Sequence, residues 1–239
     1  MSQKLIIITG ASKGIGLAIA RRLLLDNFKV INLDVSSPEK QDTDIEFIKC
    51  DVSLESDVLQ SFQFIQSKYP EIYGVINNAG IIRDNVIWKM SVEDFEKVIN
   101  VNLKGTWLVC REAVKIMKQQ SFGKIINIAS RALLGNPGQT NYSASKAGIV
   151  GLSRALALEV GKYNISVNVI APGLIKTELT DNLPPHVLQK LIDAQPQKNI
   201  GKPEDIAEVA SFLLNEKTNF INGQVIYVDG GKSIGHVTL

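Results

Sequence analysis

Short apolar runs typical of β-strands alternate with longer segments of helical periodicity along the whole chain. The runs predict strands over 4–9, 29–34, 45–49, 73–76, 124–129, 166–170 and 224–228. The periodicity predicts helices over 14–25, 54–68, 142–160 and 203–214, and a long helix over 91–119 with a break near Asn100. Such alternation is typical of an α/β fold in which helices cover both faces of a parallel sheet. Because crossovers are right-handed, we expect a doubly wound parallel sheet of about seven strands.

The chain has 239 residues and no linker, repeat or low-complexity stretch, so we predict one domain spanning residues 1–239. Its net charge of +2 gives no sign of the concentrated basic face that nucleic-acid binding requires. No apolar stretch reaches the ~18 residues of a membrane span, and the first apolar run ends at Gly10 like a strand, unlike a secretory signal. We therefore expect a cytoplasmic protein with neither nucleic acid nor membrane as a partner.

The cysteines and histidines favour neither a disulfide framework nor a metal site. Cys50 and Cys110 fit reduced, buried thiols of a cytosolic protein. His186 and His236 are too few and too scattered for a zinc site, which disfavours a zinc-dependent alcohol dehydrogenase.

A glycine-rich segment, TGASKGIG at 9–16, joins the first predicted strand to the first helix. Glycines let the backbone turn tightly and approach a pyrophosphate, and a helix N-terminus offers free N–H groups and a positive dipole end. The G-x-x-x-G-x-G spacing is one residue longer than the commoner dinucleotide fingerprint, and an isolated glycine cluster also fits an ordinary tight turn. Its position between strand and helix favours a dinucleotide site.

Asp34 ends the second predicted strand, about 20 residues beyond the glycines. A carboxylate there can accept hydrogen bonds from the adenine-ribose hydroxyls and repel a 2′-phosphate, which favours NAD. Lys13 favours NADP instead if its ammonium neutralises that phosphate, and is otherwise a solvated loop lysine. We favour NAD over NADP because Asp34 would lie directly against the extra phosphate. Asp51, after the third strand, is placed either to reach the adenine edge or to cap the next helix.

Tyr142 and Lys146 lie four residues apart, on one face of a predicted helix. A phenol with a pKa of ~10 is a poor base at neutral pH, but a nearby ammonium favours the phenolate and lowers that pKa. Tyr142 could then exchange a proton with an alcohol or carbonyl oxygen. Such a pair alone usually marks a helix surface. Here Ser130 ends a strand twelve residues upstream, at the sheet edge where ligands bind.

The sequence resembles the short-chain dehydrogenase/reductase family over nearly its whole length. The resemblance is carried by TGASKGIG at 9–16, Asn77-Asn78-Ala79-Gly80, Val101-Asn102-Leu103, Ser130, Tyr142 with Lys146, Pro172-Gly173 and Val228-Asp229-Gly230-Gly231. It implies a Rossmann-like domain that transfers hydride between NAD or NADP and a carbonyl or secondary alcohol. It implies Tyr142 as general acid/base and Ser130 as the group that orients the substrate oxygen. Lys146 would bind the nicotinamide ribose and tune Tyr142, and Asn102 would hold a helix kink and a relay water.

The resemblance also implies where the cofactor binds. Asn78 and Gly80 would line the cleft, Pro172-Gly173 would border the nicotinamide, and Thr177 would contact its carboxamide. A purely structural interpretation is that the amides of Asn77 and Asn78 join the central strands, and for Asn78 we expect both roles. The expected cofactor contacts are Gly10, Ser12, Lys13, Gly14, Ile15, Gly16, Asp34, Asp51, Val52, Asn78, Ala79, Gly80, Tyr142, Lys146, Pro172, Gly173, Ile175 and Thr177.

Within the family the chain looks most like the 3-oxoacyl-carrier-protein reductase branch, in GNPGQTNY at 135–142 and GKPEDIA at 201–207. It departs from that branch in three ways. The Ser-to-Tyr spacing is one residue shorter, with Arg131 directly after the serine. Asp34 favours NAD, whereas the branch generally uses NADP. The turn at 121–123 lacks the arginine that such enzymes present to an acidic carrier protein.

Three functions therefore stay open. The first is an NAD-dependent dehydrogenase of a polyol, sugar or other small secondary alcohol. The second is a reductase of acyl-carrier-protein thioesters. The third is a non-catalytic, regulatory dinucleotide-binding protein.

Two further expectations concern the lid and the assembly. Residues 177–195, with Pro184-Pro185, should form a moderately apolar substrate lid, although their apolar pattern also fits a packed amphipathic helix. The stretch 149–158 is apolar around much of its helix, so two sides must be covered. The sheet covers one side, and the resemblance implies that a partner subunit of a homotetramer covers the other. The alternative is that the long helix at 91–119 covers it within one subunit.

Overall fold

The computed structural model describes residues 3–38 and 43–234, with only the backbone at Leu179. In these ranges the strands are β1 (Leu5–Thr9), β2 (Lys29–Asp34), β3 (Ile45–Lys49), β4 (Gly74–Asn77), β5 (Gly123–Ile128), β6 (Ile165–Pro172) and β7 (Val225–Val228). They form a seven-stranded sheet in the order β3-β2-β1-β4-β5-β6-β7, in which every neighbouring pair is parallel. The predicted fold class is confirmed. The strand order reverses between β1 and β4, and such a switch point is where doubly wound sheets bind ligands.

The α-helices of the described ranges are α1 (Gly14–Leu25), α2 (Glu55–Lys68), α3 (Val92–Ile99), α4 (Gly105–Gln120), α5 (Thr140–Val160), α6 (Glu178–Asp181), α7 (Pro185–Asp193) and α8 (Pro203–Leu214). Predicted strand and helix ends agree with these bounds to within about two residues, as is normal for frayed ends. The helix predicted over 91–119 is α3 and α4, joined by a π-helical segment at Asn100–Lys104. The predicted break near Asn100 therefore lies at the start of that segment.

Side chains of the central strands alternate between two cores, one on each face of the sheet. In β1, Leu5 and Ile7 belong to the core that packs under α2, α4 and α5. Ile6 and Ile8 belong to the core under α1 and α8. Both sets are buried because successive strand residues point to opposite faces and both faces carry helices. The strand ends, rather than the faces, are left for function.

Buried amides join the central strands beneath the sheet edge. Asn77 donates from Nδ2 to Asn127 Oδ1 at 2.8 Å, and Asn127 donates to Ser153 Oγ on α5 at 2.8 Å. Asn77 also lies 3.3 Å from the sulfur of Cys110, a buried free thiol, as is Cys50. No helix in the described ranges is long and apolar enough to cross a bilayer.

Candidate active site

The carboxyl ends of β1, β4 and β5 bring most of the expected site residues to one edge of the sheet. Gly10 follows β1, Asn78 follows β4 and Ser130 lies just beyond β5. Asn78 joins two of these ends, because its Nδ2 donates to Thr9 O at 3.1 Å and to Gly10 O at 2.8 Å. The Thr9 hydroxyl in turn accepts from the backbone N–H groups of Asn78 and Ala79, both at 3.0 Å.

The glycine-rich loop has the backbone that a pyrophosphate site requires. Gly10 and Gly14 have positive φ angles of 69° and 57°, which glycine adopts without strain. A Cβ on Gly16 would overlap the carbonyl oxygen of Gly10 and the amide of Asn78. Helix α1 begins at Gly14 with no side-chain cap and no acidic residue in its first turn, so its N–H groups and positive dipole end suit an anion. These residues fit the diphosphate of a nicotinamide dinucleotide.

Asp34 lies against this loop, at the end of β2. Its Oδ2 accepts from the backbone N–H of Ser12 at 3.1 Å, and its Oδ1 accepts from Ser36 N–H at 3.3 Å. The ammonium of Lys13 forms an exposed ion pair with Glu178 Oε2, at 2.6 Å. Lys13 is therefore not simply a solvated lysine, because its charge is paired with a carboxylate. The sequence did not suggest this ion pair.

Asp51 and Val52 follow β3. The capping alternative for Asp51 is wrong, because α2 has Leu54 at its N-cap and Asp51 binds Ser53 instead. Asp51 Oδ1 accepts from Ser53 N–H at 2.9 Å and from Ser53 Oγ at 2.7 Å. The Val52 side chain packs where α4 begins, because a Cβ on Gly105 would lie 2.8 Å from Val52 Cγ2. Any contact of Val52 with a cofactor would therefore involve its backbone.

Tyr142 and Lys146 lie in the first turns of α5, beside Ser130. The Lys146 ammonium is 5.6 Å from the centre of the Tyr142 ring and donates to Ile128 O, at the end of β5, at 2.8 Å. The Ser130 Oγ accepts from Ala132 N–H at 3.1 Å, and its hydroxyl donates to the Tyr142 phenol. A short 3₁₀ helix at Arg131–Leu134 follows Ser130.

Burial dominates the electrostatics of this pair. It raises the pKa of Tyr142, against a lowering by the hydrogen bond from Ser130, while the negative charge of Asp84 raises it further. Burial also lowers the pKa of Lys146 to about 8. The expectation that Lys146 lowers the pKa of Tyr142 is not met in this structure, because desolvation disfavours both charged forms.

Asn102 lies fully buried in the π-helical segment and faces the same cluster. Its Oδ1 accepts from Ile81 N–H at 2.8 Å, and its Nδ2 donates to Ile81 O and to Ser145 Oγ, both at 3.1 Å. A Cβ on Gly80 would lie 3.3 Å from Asn102 Oδ1 and 3.6 Å from Lys146 Nζ. The structure therefore brings Gly80, Asn102 and Lys146 together, as expected from the sequence.

The segment after β6 returns to the glycine-rich loop. Gly173 donates to Val228 O at 2.9 Å, and a Cβ on it would overlap Asp229. Ile175 is buried, and Thr177 caps α6. The methyl group of Thr177 lies 3.9 Å from the position of a Cβ on Gly14, so the start of the expected lid faces the loop.

Sequence reasoning missed four residues around this site. Glu178 pairs with Lys13, and Asp84, Gln139 and Asn141 connect the loop after β4 to the start of α5. Gln139 and Asn141 stand in the GNPGQTNY segment quoted for the resemblance, but nothing in the segment indicates their partners. Within the described residues no three His, Cys, Asp or Glu side chains form a potential metal site.

A family model described as enoyl-(acyl carrier protein) reductase matches residues 10–233. The chain belongs to the short-chain dehydrogenase/reductase family. It is 38% identical to the 3-oxoacyl-[acyl-carrier-protein] reductase MabA of Mycobacterium tuberculosis, over 97% of this chain and 93% of that protein. It is 40% identical to the 3-oxoacyl-[acyl-carrier-protein] reductase FabG of Rickettsia felis, over 97% of both.

Other relatives have different substrates. The chain is 38% identical, over 98% of both proteins, to the (2S)-[(R)-hydroxy(phenyl)methyl]succinyl-CoA dehydrogenase subunit BbsD of Thauera aromatica. Among solved structures, the ligand-free aldohexose dehydrogenase of Thermoplasma acidophilum superposes with a TM-score of 0.92 at 32% identity, over 99% of this chain and 96% of that one. Levodione reductase superposes with a TM-score of 0.91 at 32% identity, over 98% of both.

As a short-chain dehydrogenase/reductase, the chain is an oxidoreductase that transfers hydride between a nicotinamide dinucleotide and a carbonyl or secondary alcohol. The oxidoreductase expectation is confirmed over the non-catalytic alternative.

Proposed function

We propose that this enzyme is NAD-dependent and interconverts 3-oxoacyl and 3-hydroxyacyl thioesters, with Tyr142 as proton donor and acceptor. The observation that carries the proposal is the cluster of half-buried Tyr142 and Ser130 with buried Lys146 at the switch-point edge, beside a loop suited to a pyrophosphate. We also propose a cytoplasmic homotetramer.

The chain's own side chains account for the proton chemistry. When bound, the nicotinamide would give hydride to the substrate carbonyl or take it from the alcohol. With substrate bound, Ser130 would redirect its hydroxyl proton from Tyr142 to the substrate oxygen and orient it. Tyr142, kept protonated by burial, would give the proton that the reduced oxygen needs. Lys146, whose pKa burial lowers to about 8, would stabilise the phenolate left behind and return a proton.

The preference for NAD is supported by two acidic residues. Asp34 lies at the end of β2 against Ser12, where the adenosine ribose of a dinucleotide on this loop would reach. The Lys13 ammonium, which could otherwise balance a 2′-phosphate, is held by Glu178. Both effects reduce the attraction for NADP.

The thioester substrate is supported by the relatives and by exposed apolar side chains next to the segments that carry the site. MabA and FabG are named for acyl-carrier-protein thioesters, and BbsD for a CoA thioester. On this chain, the exposed apolar side chains of Ile87, Trp88 and Leu134 flank the segments that carry Ser130 and Tyr142. An acyl chain gains from such a surface, whereas a sugar needs hydrogen-bonding groups.

The missing arginine at 121–123 does not count against this substrate within one subunit. That turn precedes β5, whereas Ser130 follows it, and a six-residue strand separates them by about 20 Å. A carrier protein docked at the site of one subunit would therefore meet other residues first.

A small secondary alcohol remains the second candidate, favoured by the similarity to aldohexose dehydrogenase. The deciding experiment follows dinucleotide absorbance with acetoacetyl-CoA and NADH, with NADPH as the paired cofactor, and with an aldohexose and a polyol plus NAD. We expect turnover of the thioester with NADH. Turnover of the sugar or polyol alone would contradict the thioester proposal, and a tenfold preference for NADPH would contradict the cofactor proposal.

A further inference from the structure

Three consecutive residues of the loop after β4 bind the chain just where α5 begins. The Arg83 carbonyl oxygen accepts from Asn141 Nδ2 at 2.8 Å. The Asp84 Oδ2 accepts from Gln139 Nε2 at 2.8 Å, and the backbone N–H of Asn85 donates to Gly138 O at 2.9 Å.

These contacts matter for the start of α5, because its N-cap residue makes no side-chain capping hydrogen bond. Gln139 stands at the N-cap position but makes no capping hydrogen bond, and its amide turns to Asp84 instead. Gly138 before it has a φ of 80°, so the approach to the helix is a bend that glycine tolerates. Asn141 is completely buried, and its Oδ1 accepts from the backbone N–H of Tyr142 at 2.7 Å.

We propose that Arg83, Asp84 and Asn85 form a clamp that positions Tyr142 for proton transfer, with Gln139 and Asn141 as its anchors on α5. This inference rests on the proposed function, since it assigns positioning residues to the proposed proton donor. The clamp fixes the backbone on both sides of the helix start, within one turn of the phenol. A catalytic group displaced by about 1 Å can lose up to ~10²-fold in rate, so contacts at this place matter more than their number suggests.

The clamp also brings a charge close to Tyr142. Asp84 has no ion-pair partner within the described residues, since the neighbouring Arg83 pairs with Asp94 at 3.9 Å. The charged groups around the phenol are then Asp84 from the loop and Lys146 from its own helix. The Asp84 charge raises the pKa of Tyr142, so the clamp both positions the proton and holds it more tightly.

Exchanging the two clamp side chains tests positioning. In Gln139→Glu the carboxylate introduced at position 139 faces the carboxylate of Asp84. We expect kcat to fall about tenfold or more. The dissociation constant for NADH, measured by fluorescence, should change less than about twofold. Adding Asp84→Asn supplies a donor to the carboxylate introduced at position 139, so the double variant should recover most of kcat. Thermal unfolding of each variant shows whether the fold is intact. Gln139→Glu with unchanged kcat, or a loss that Asp84→Asn does not rescue, would overturn the clamp.

Asp84→Asn alone separates charge from geometry, because the asparagine oxygen can still accept from Gln139. The rising limb of the pH profile for alcohol oxidation should move to lower pH, since the pKa of Tyr142 falls. Glu93→Gln removes an exposed carboxylate of α3 that lies outside the clamp and should leave that limb in place. An unmoved limb in Asp84→Asn would refute the electrostatic part of the proposal. A Tyr142→Phe enzyme that still turns over would instead refute the proposed function on which the clamp rests.

Discussion

At the scale of single residues, we expect turnover to depend most directly on the Tyr142 phenol. We expect Tyr142→Phe to lower kcat by roughly 10²–10⁴-fold, the usual contribution of a general acid–base group. The dissociation constant for NADH should change little, because the hydroxyl contributes to proton transfer more than to dinucleotide binding. Stopped-flow and fluorescence titration measure the two quantities separately. A variant with most of its wild-type kcat would show that another group carries the proton.

We expect the choice between NAD and NADP to depend on Asp34. Replacing it by serine removes the acceptor for the ribose hydroxyls and the repulsion of a 2′-phosphate, while Lys13 is kept. Since charge-assisted hydrogen bonds contribute roughly 1.5–3 kcal/mol, the KM ratio for NADH over NADPH should rise by about tenfold or more. The substitution should change KM rather than kcat, because the adenine end of the cofactor binds far from the reacting carbon. Wild-type enzyme that already prefers NADPH tenfold would rule out this role of Asp34.

Glu178 provides an independent test of the preference between NAD and NADP. Glu178→Gln removes the carboxylate that pairs with Lys13, so affinity for 2′,5′-ADP should rise more than affinity for AMP, both measured by calorimetry. The effect should be a few-fold and should shrink with added salt, because the pair is exposed. Asp181→Asn, on the same short helix, is the matched control. Equal gains for both nucleotides would mean that Glu178 has no part in the selection.

These residues also mark what the sequence can and cannot show at this scale. Gly10, Asn102, Ser130, Tyr142 and Lys146 could be predicted because they sit in local motifs at fixed positions relative to strands and helices. The Lys13–Glu178 and Gln139–Asp84 contacts could not, since they join segments far apart in sequence and depend on how loops meet in space. The direction of the Tyr142 pKa was also mispredicted, because spacing alone does not reveal desolvation.

At the scale of elements, one buried lysine links β5 to α8. Lys124 is 1% exposed and donates to Leu213 O at 3.2 Å and Asn215 O at 2.8 Å, at the helix C-terminus, where a cation is favourable. The sequence indicated a strand there, but a buried cation within it could not be predicted from an apolar pattern. Burial lowers the pKa of Lys124 from its usual 10.5 to about 8.

Stability should therefore rise with pH in a defined window. Between pH ~8 and ~9.5 the unfolded chain keeps the Lys124 proton that the folded chain has lost, so the free energy of unfolding increases. Lys146 acts in the same direction, and each lysine contributes on the order of 2 kcal/mol across the window, whereas Cys110, whose pKa burial raises to about 12, acts in the opposite direction above pH ~9. Chemical denaturation of wild type and Lys124→Met at several pH values isolates the lysine, because the difference between their free energies of unfolding should grow in favour of wild type across the window. Parallel profiles of the two proteins would contradict the lowered pKa of Lys124.

The elements themselves followed from the sequence where strand and helix patterns were long. The prediction did not resolve α6 and α7, because short helices set off by Thr177 and Pro184 carry little periodicity. It found the break near Asn100 without its π-helical form, since that form arises where Asn102 bonds to Ile81 outside the helix.

At the scale of the whole molecule, we expect a partner subunit to cover the outward face of α5. The sheet and the neighbouring helices bury Ile149 and Ala157, but Leu158 remains 87% exposed. The alternative that the 91–119 helix shields this stretch within one subunit does not extend to Leu158. Light scattering at micromolar concentration should give a mass near four chains, and Leu158→Glu should lower it. Leu25→Glu changes an equally exposed leucine on α1 and should not. A wild-type mass near one chain would exclude the tetramer.

The strand order has a consequence for how the molecule folds. Ile6 of β1 pairs with Gly74 of β4, a longer separation along the sequence than between any other neighbouring strands. Pairing β1 with β4 costs more chain entropy than the more local pairings do, and non-local pairings slow folding. The site spans the β1–β4 pair, with Gly10 after β1 and Asn78 after β4. During refolding, nucleotide binding should therefore return only with the slowest phase, after most helical signal has recovered.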